Sequence, residues 1–143
     1  MRFLKKNITF VFKKGMEHYI VLSNTNVLIR VASSDILYIE SDGSYSSMVL
    51  IDDCKHVFSF NLATFEKKLE SQLGVGSQMF IRLGKSLIIN STYIYSVNLS
   101  THELVLFSPQ VLKRFPLKAS HEALKSLKNM IEDNVNKKRR ILI

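Results

Sequence analysis

The stretch Phe80-Ile81-Arg82-Leu83-Gly84-Lys85-Ser86-Leu87-Ile88-Ile89-Asn90 decides how this chain is read. Two apolar runs flank a short polar break at Gly84-Lys85-Ser86. A plain two-residue hairpin favours Asn-Gly or Asp-Gly at its turn. A catalytic site favours a base or a second acid close by. A third arrangement is a loop held out from a rigid sheet to touch something anionic.

Outward from this stretch the pattern is mostly β. Tyr19–Leu22 and Val27–Val31 are apolar runs separated by Ser-Asn-Thr-Asn, which reads as a hairpin with a longer loop. Ile36–Glu40 is a nearly continuous apolar run, broken by the turn formers Ser41-Asp42-Gly43-Ser44. Tyr45–Ile51 resumes as a strand, and Asp52-Asp53 turns the chain into His56–Phe60. Met79–Leu83, Leu87–Ile89, Tyr93–Val97, Leu104–Phe107 and Val111–Leu117 follow as short strands.

Two helices interrupt this pattern. Leu62, Phe65, Leu69 and Leu73 form one apolar stripe at helical spacing, with Asn61 as N-cap and Gly74 or Gly76 as the stop. A last helix starts near Ser120, with Glu122 in its first turn and Leu124, Leu127 and Ile131 as its stripe. Asn136-Lys-Lys-Arg-Arg reads as a disordered tail. Strands come in runs rather than alternating with helices, so the sheets are expected to be largely antiparallel. The expected fold is mainly β (α+β), with about nine or ten short strands, one embedded helix and one C-terminal helix.

Composition bounds the function. A chain of 143 residues with 46% hydrophobic and 22% charged residues suits one folded domain. No apolar run reaches the length of a membrane span. The N-terminus has cations and an apolar stretch, but the stretch is short and no small-residue cleavage site follows it. The single cysteine, Cys54, excludes an internal disulfide framework and fits a reducing, cytoplasmic location.

The formal charge of +8 lies at the two ends. Residues 1–14 carry five Lys/Arg and no acid, and residues 118–143 carry seven against three. The span between carries eight against nine. Bulk charge thus permits a polyanionic partner without locating it. The organisation expected is a basic N-terminal segment over 1–14, one domain over 15–133 and a basic tail over 134–143.

Catalytic and metal chemistry find little support. Asp52-Asp53-Cys54-x-His56 is one cluster of candidate ligands, and it sits at a hairpin turn where aspartates serve as turn formers. Gly74-Val-Gly76 follows a helix rather than a strand and reads as a C-cap. Lys85 and Ser86 are adjacent on an extended chain and point to opposite sides, which disfavours a nucleophile–base pair. The chain reads as a non-enzyme with no metal and no cofactor.

From about Val31 to Ile131 the chain resembles the LytTR family of bacterial DNA-binding domains. Asp35-Ile-Leu-Tyr-Ile-Glu-Ser-Asp-Gly-Ser-Tyr45 is similar to the family's "I-x-Y-I-E-A-x-x-N-Y" strand and loop. The stretch 80–90 is similar to "F-x-R-(I/V)-H-(R/K)-S-(Y/F)-(I/L)-(I/V)-N" and is the most specific of the matches. Phe115-Pro-Leu-Lys-Ala-Ser-His121 precedes a helix as the family's "(L/I)-P-(V/L)-S-(R/K)" does. The helix stripe of Leu62, Phe65 and Leu69 falls at the family's own helix. Gly84 stands where many members carry His, Lys85 where Arg is common, and His121 where Arg or Lys is usual.

The resemblance implies an elongated, mostly β fold whose loops enter successive grooves of duplex DNA, and a role in bacterial transcription regulation. It implies DNA contacts from Ser44 and Tyr45, from Arg82, Gly84, Lys85, Ser86 and Asn90, and from Ser120 and His121; two of these stay open, since Arg82 is equally placed to pair with an acid inside the fold and Tyr45 to pack on the core as a strand aromatic. Many members also carry a phosphorylated receiver domain; about 30 residues precede the matching region here, so the chain reads as a standalone domain. A second copy bound on a direct repeat is the implied partner besides DNA. Two other functions remain open: a protein-interaction domain that pairs through a sheet edge, and a small-ligand sensor with a β cavity.

Overall fold

The computed structural model describes residues 18–142, with side chains described as far as residue 137. The basic segment expected over 1–14 lies outside the described residues. Among the described residues, ten strands and two α-helices run in the order β1 (Tyr19–Ser23), β2 (Leu28–Ala32), β3 (Ile36–Ser41), β4 (Ser46–Leu50), β5 (Lys55–Phe58), α1 (Leu62–Leu73), β6 (Phe80–Leu83), β7 (Leu87–Asn90), β8 (Ile94–Asn98), β9 (Glu103–Ser108), β10 (Lys113–Lys118) and α2 (His121–Leu142).

The strands form a five-stranded sheet of order β5-β4-β3-β7-β6, a three-stranded sheet β10-β9-β8 and the hairpin β1-β2. Every pairing is antiparallel. The mainly β fold expected from the strand pattern is the fold observed.

The five-stranded sheet is covered on both faces. Ile36, Ile39, Met48 and Ile88 point to one side and pack with α1 and the β1-β2 hairpin. Leu37, Val49, Leu87 and Ile89 belong to a second core shared with the three-stranded sheet and α2. Burial on both faces explains why β3 and β7 read as continuous apolar runs rather than alternating ones. A bulge between Ile36 and Tyr38 re-aims β3 midway.

Local chemistry sets the ends of α1. The Asn61 side chain accepts from the Thr64 amide at 2.9 Å, meeting one of the unpaired N–H groups of the first turn. Gly74 adopts φ 56°, a left-handed stop that favours glycine. Leu62, Phe65, Leu69 and Leu73 are all buried, as their spacing predicts. Gln72 adds a tie: its side-chain amide donates to the Val21 carbonyl at 2.9 Å and accepts from the Val21 N–H at 2.8 Å. The side chain thus pairs with β1 as a strand would.

Two expectations need correction. Asn136 to Arg140 do not form a disordered tail: α2 runs on to Leu142. Lysine and arginine are good helix formers, and cations suit a helix C-terminus. Tyr45 does not open β4; it sits in the loop before Ser46, with half of its surface exposed.

Candidate nucleic-acid interface

Gly84, Lys85 and Ser86 link β6 to β7, with Leu83 paired to Leu87 across the turn. A Cβ on Gly84 would meet nothing within 4 Å, but its φ of 68° is left-handed. Glycine is therefore required by the backbone rather than by crowding. Lys85 and Ser86 are exposed at the tip.

Arg82 holds this turn from below. Its Nε donates to the Gly84 carbonyl at 3.0 Å and its Nη2 to the Lys85 carbonyl at 3.5 Å. Its Nη1 reaches Glu66 Oε1 on α1 at 3.1 Å. One planar guanidinium thus ties two turn carbonyls to a helix.

The loop between β3 and β4 lies beside this turn. The Ser41 amide donates to the Ser86 carbonyl at 2.8 Å. Within the loop the Ser41 hydroxyl donates to the Tyr45 carbonyl at 2.9 Å and accepts from the Gly43 amide at 3.2 Å. Gly43 adopts φ 113°. Ser44 and Tyr45 project from this closed loop into solvent. Ser41, Gly43, Asn61, Arg82, Lys85 and Ser86 line one shallow groove, so the start of α1 joins the two loops.

The start of α2 comes next. Gly84 shares a second cleft with Ala123, Ser126, Leu127 and Met130. Ser120 caps the helix, its hydroxyl accepting from the Ala123 amide at 3.2 Å. His121 is exposed, and its ring stands edge-on to His102 with centroids 5.9 Å apart. The Ala119 amide donates to the His102 carbonyl at 3.3 Å, fastening the β8-β9 turn to the entry of α2.

A family model for the LytTr DNA-binding domain matches residues 26–132. The chain belongs to the LytTR family. The match begins in the β1-β2 turn and closes on α2, so it contains all three loops of this LytTR domain. A solved LytTr DNA-binding domain, from a Bacillus cereus methyl-accepting/DNA response regulator, is similar with a TM-score of 0.55 and 18% identity. The alignment covers 80% of this chain and 96% of that one, and the likeness is one of fold. No match is found among curated proteins.

Within the LytTR frame, Ser44, Tyr45, Gly84, Lys85, Ser86, Ser120 and His121 all lie on exposed loops or at a helix start. Ser41, at the entry to the 42–45 loop, bonds to Ser86 of the 84–86 turn, and Gly84 lines one cleft with Ala123 and Ser126 of α2. Arg82 and Asn90 differ from these. Arg82 is half-buried and spends its donors on the turn and on Glu66. Asn90 is fully buried; its amide donates to the Ile36 carbonyl at 2.9 Å and its Oδ1 accepts from Thr92 N at 3.0 Å. A side chain enclosed in this way braces β3 against the end of β7, so Asn90 is a framework residue rather than a surface contact.

Sequence reading missed three residues. Glu66 looks like one more polar position on an amphipathic helix, and only the fold brings it to Arg82. Asn61 reads as a cap, yet it also lines the groove. His102 sits in a turn with no motif of its own, at φ 55°. Among the described residues, no group of three or more His, Cys, Asp or Glu is arranged to hold a metal ion. None of the described helices is long and apolar enough to cross a membrane.

Proposed function

We propose that this LytTR domain binds double-stranded DNA in a sequence-specific manner through three neighbouring loops and acts, without catalysis, as a bacterial cytoplasmic transcription regulator. The observation that supports this most is the 84–86 turn, which carries an exposed cation on a backbone held by Arg82 and by the Ser41–Ser86 hydrogen bond. A turn ordered in advance loses little entropy on binding. Lys85 then reaches a guanine edge through O6 and N7, or a phosphate. Ser86 donates to phosphate, and Ser44 and Tyr45 extend the contact from the adjoining loop. At the third loop the free N–H groups at the start of α2 favour phosphate beside Ser120 and His121. Arg82 acts as a positioning residue. A second copy binds the neighbouring site of a direct repeat.

Lys85→Ala tests the reading. If Lys85 reads a base, the variant weakens binding to a selected duplex by roughly 1–3 kcal/mol and relaxes preference at one position. If it touches phosphate alone, binding weakens about equally on all sequences and the salt slope falls by about one. Titrations of selected and random duplexes at several salt concentrations separate these outcomes. Unchanged binding on both removes Lys85 from the interface.

A further inference from the structure

We propose that the N-terminal stretch Ile8-Thr9-Phe10-Val11-Phe12 of this same chain docks as an added strand on the free edge of β8, over an apolar trough between β8 and α2. The stretch lies outside the described residues, whereas the surface it covers lies within them.

Among the described residues β8 pairs on one side alone, with β9. Edge strands are usually blunted by charge or proline, because their unpaired N–H and C=O groups invite another strand. β10 carries Lys113, Arg114, Pro116 and Lys118, β5 carries Lys55, and β6 carries Arg82. β8 reads Ile94-Tyr95-Ser96-Val97-Asn98, with no charge and no proline; a bulge between Ile94 and Ser96 interrupts it. Two hollows that share Ile94 and Ile131 form one trough beside this edge. Ile94, Val97 and Ile131 turn toward the core, while Tyr95 and Val135 on the rim stay 57% and 52% exposed. Lys128 and Glu132 also line the trough, but they pair with each other and leave it without net charge.

The place where the described chain begins selects the occupant. The His18 carbonyl accepts from the Ser33 amide at 2.8 Å, and the Ser34 carbonyl accepts from the Tyr93 hydroxyl. Ser33 and Ser34 are one residue step apart, about 3.8 Å between Cα atoms. Tyr93 immediately precedes β8, so the chain enters the domain beside one end of the trough. Residues 13–17 form a tether that reaches up to about 17 Å when extended, and it brings Phe12 to Ile94. From Phe12 back to Ile8 the stretch then runs along β8 in the antiparallel sense. Ile8, Phe10 and Phe12 alternate with Thr9 and Val11, which puts the three larger side chains on one strand face. That face meets Ile94, Val97 and Ile131. Lys13 and Lys14 pass the Tyr93 end, where the phenol is held above its usual range by burial and then by the charge of Asp35. The two lysines thus run beside a carboxylate. A tethered strand also acts at an effective concentration on the order of millimolar, which favours it over a second copy.

The test is amide hydrogen exchange on the full chain, read residue by residue by NMR. The outward amides of Ile94–Asn98 are expected to exchange slowly in the wild type. Phe10→Asp, which would bury a charge in the trough, loses that protection while the amides of β3 and β7 keep theirs. A second measurement needs no disruptive variant: Thr9→Cys in a Cys54→Ser background carries a nitroxide on the full chain. The label is expected to broaden the signals of Val97 and Ile131 within the same molecule. Rapid exchange along the β8 edge of the wild type overturns the inference, and so does a label that leaves Val97 and Ile131 sharp. Mixing the nitroxide chain with an isotope-labelled chain that lacks it tests the other occupant. Broadening that arises only between chains gives the trough to a second copy and also overturns the inference. Duplex binding takes no part in these readouts, so the proposed function stands or falls separately.

Discussion

Glu66 on α1 and Arg82 on β6 form an ion pair at 3.1 Å, and the same guanidinium holds the Gly84 carbonyl at 3.0 Å. The pair joins the helix that covers one face of the sheet to the turn that carries Lys85. Both side chains keep about a third of their surface in solvent, 31% and 36%. Such a pair contributes about 0–1 kcal/mol to stability. Its main effect is to orient the turn.

Arg82→Ala is therefore expected to lower duplex affinity more than it lowers stability. Glu66→Ala has the same direction with a smaller effect, because the bonds from Arg82 to the turn survive. Arg82→Lys does not restore affinity, since an ammonium lacks the planar fork that spans Gly84 and Glu66. Thermal melts run beside duplex titrations check this. Wild-type affinity in Arg82→Ala would show that the turn needs no brace.

Asn90→Ala has the opposite profile. It leaves the buried Ile36 carbonyl and the Thr92 amide without their partners. An unsatisfied buried group costs about 1–3 kcal/mol. The melting temperature is expected to fall clearly, while duplex affinity measured well below it stays near wild type. A specific loss of affinity at unchanged stability would return Asn90 to the contact set.

Gly84→Ala probes the left-handed backbone. Nothing stands in the way of the added methyl group. The expected cost is thus conformational alone, about 1–2 kcal/mol. Gly84→Asn is milder, because asparagine tolerates that region. Denaturant unfolding of the two variants gives the comparison, and equal stability of Gly84→Ala and the wild type would mean that the turn can adopt another shape.

Cys54 is exposed, yet its thiol is held above the usual range, first by the hydrogen bond to the Asp52 side chain and then by that carboxylate's charge. A thiol that ionises later alkylates more slowly at neutral pH. Asp52→Asn removes the negative charge and is expected to speed alkylation near pH 8. Rates with a small alkylating reagent, followed by mass, provide the check. A slower variant would contradict this account of Asp52.

Most of the fold was legible in the residues because its signals are local. The alternation of apolar runs with turn formers marked the strands, and the spacing of Leu62, Phe65, Leu69 and Leu73 marked α1 with its cap at Asn61. Misjudgements came where two local signals competed. The basic run after Asn136 carried both the composition of a tail and good helix propensity, and the helix prevailed. Tyr45 had a strand-like side chain beside turn formers, and the loop kept it.

By itself the sequence determined the strands, the helices and the surface turns, since hydrophobic periodicity and turn chemistry act over a few residues. Only the tertiary structure decided which polar residues inside the motif face inward. Asn90 and Arg82 sit in the same stretch as Lys85, yet one is enclosed between strands and another is spent on Glu66. Contacts such as Arg82–Glu66, Ser41–Ser86 and His102–His121 depend on sheet order and on packing against α1 and α2. Those are long-range choices made by burying two cores at once, and no short window of sequence carries them.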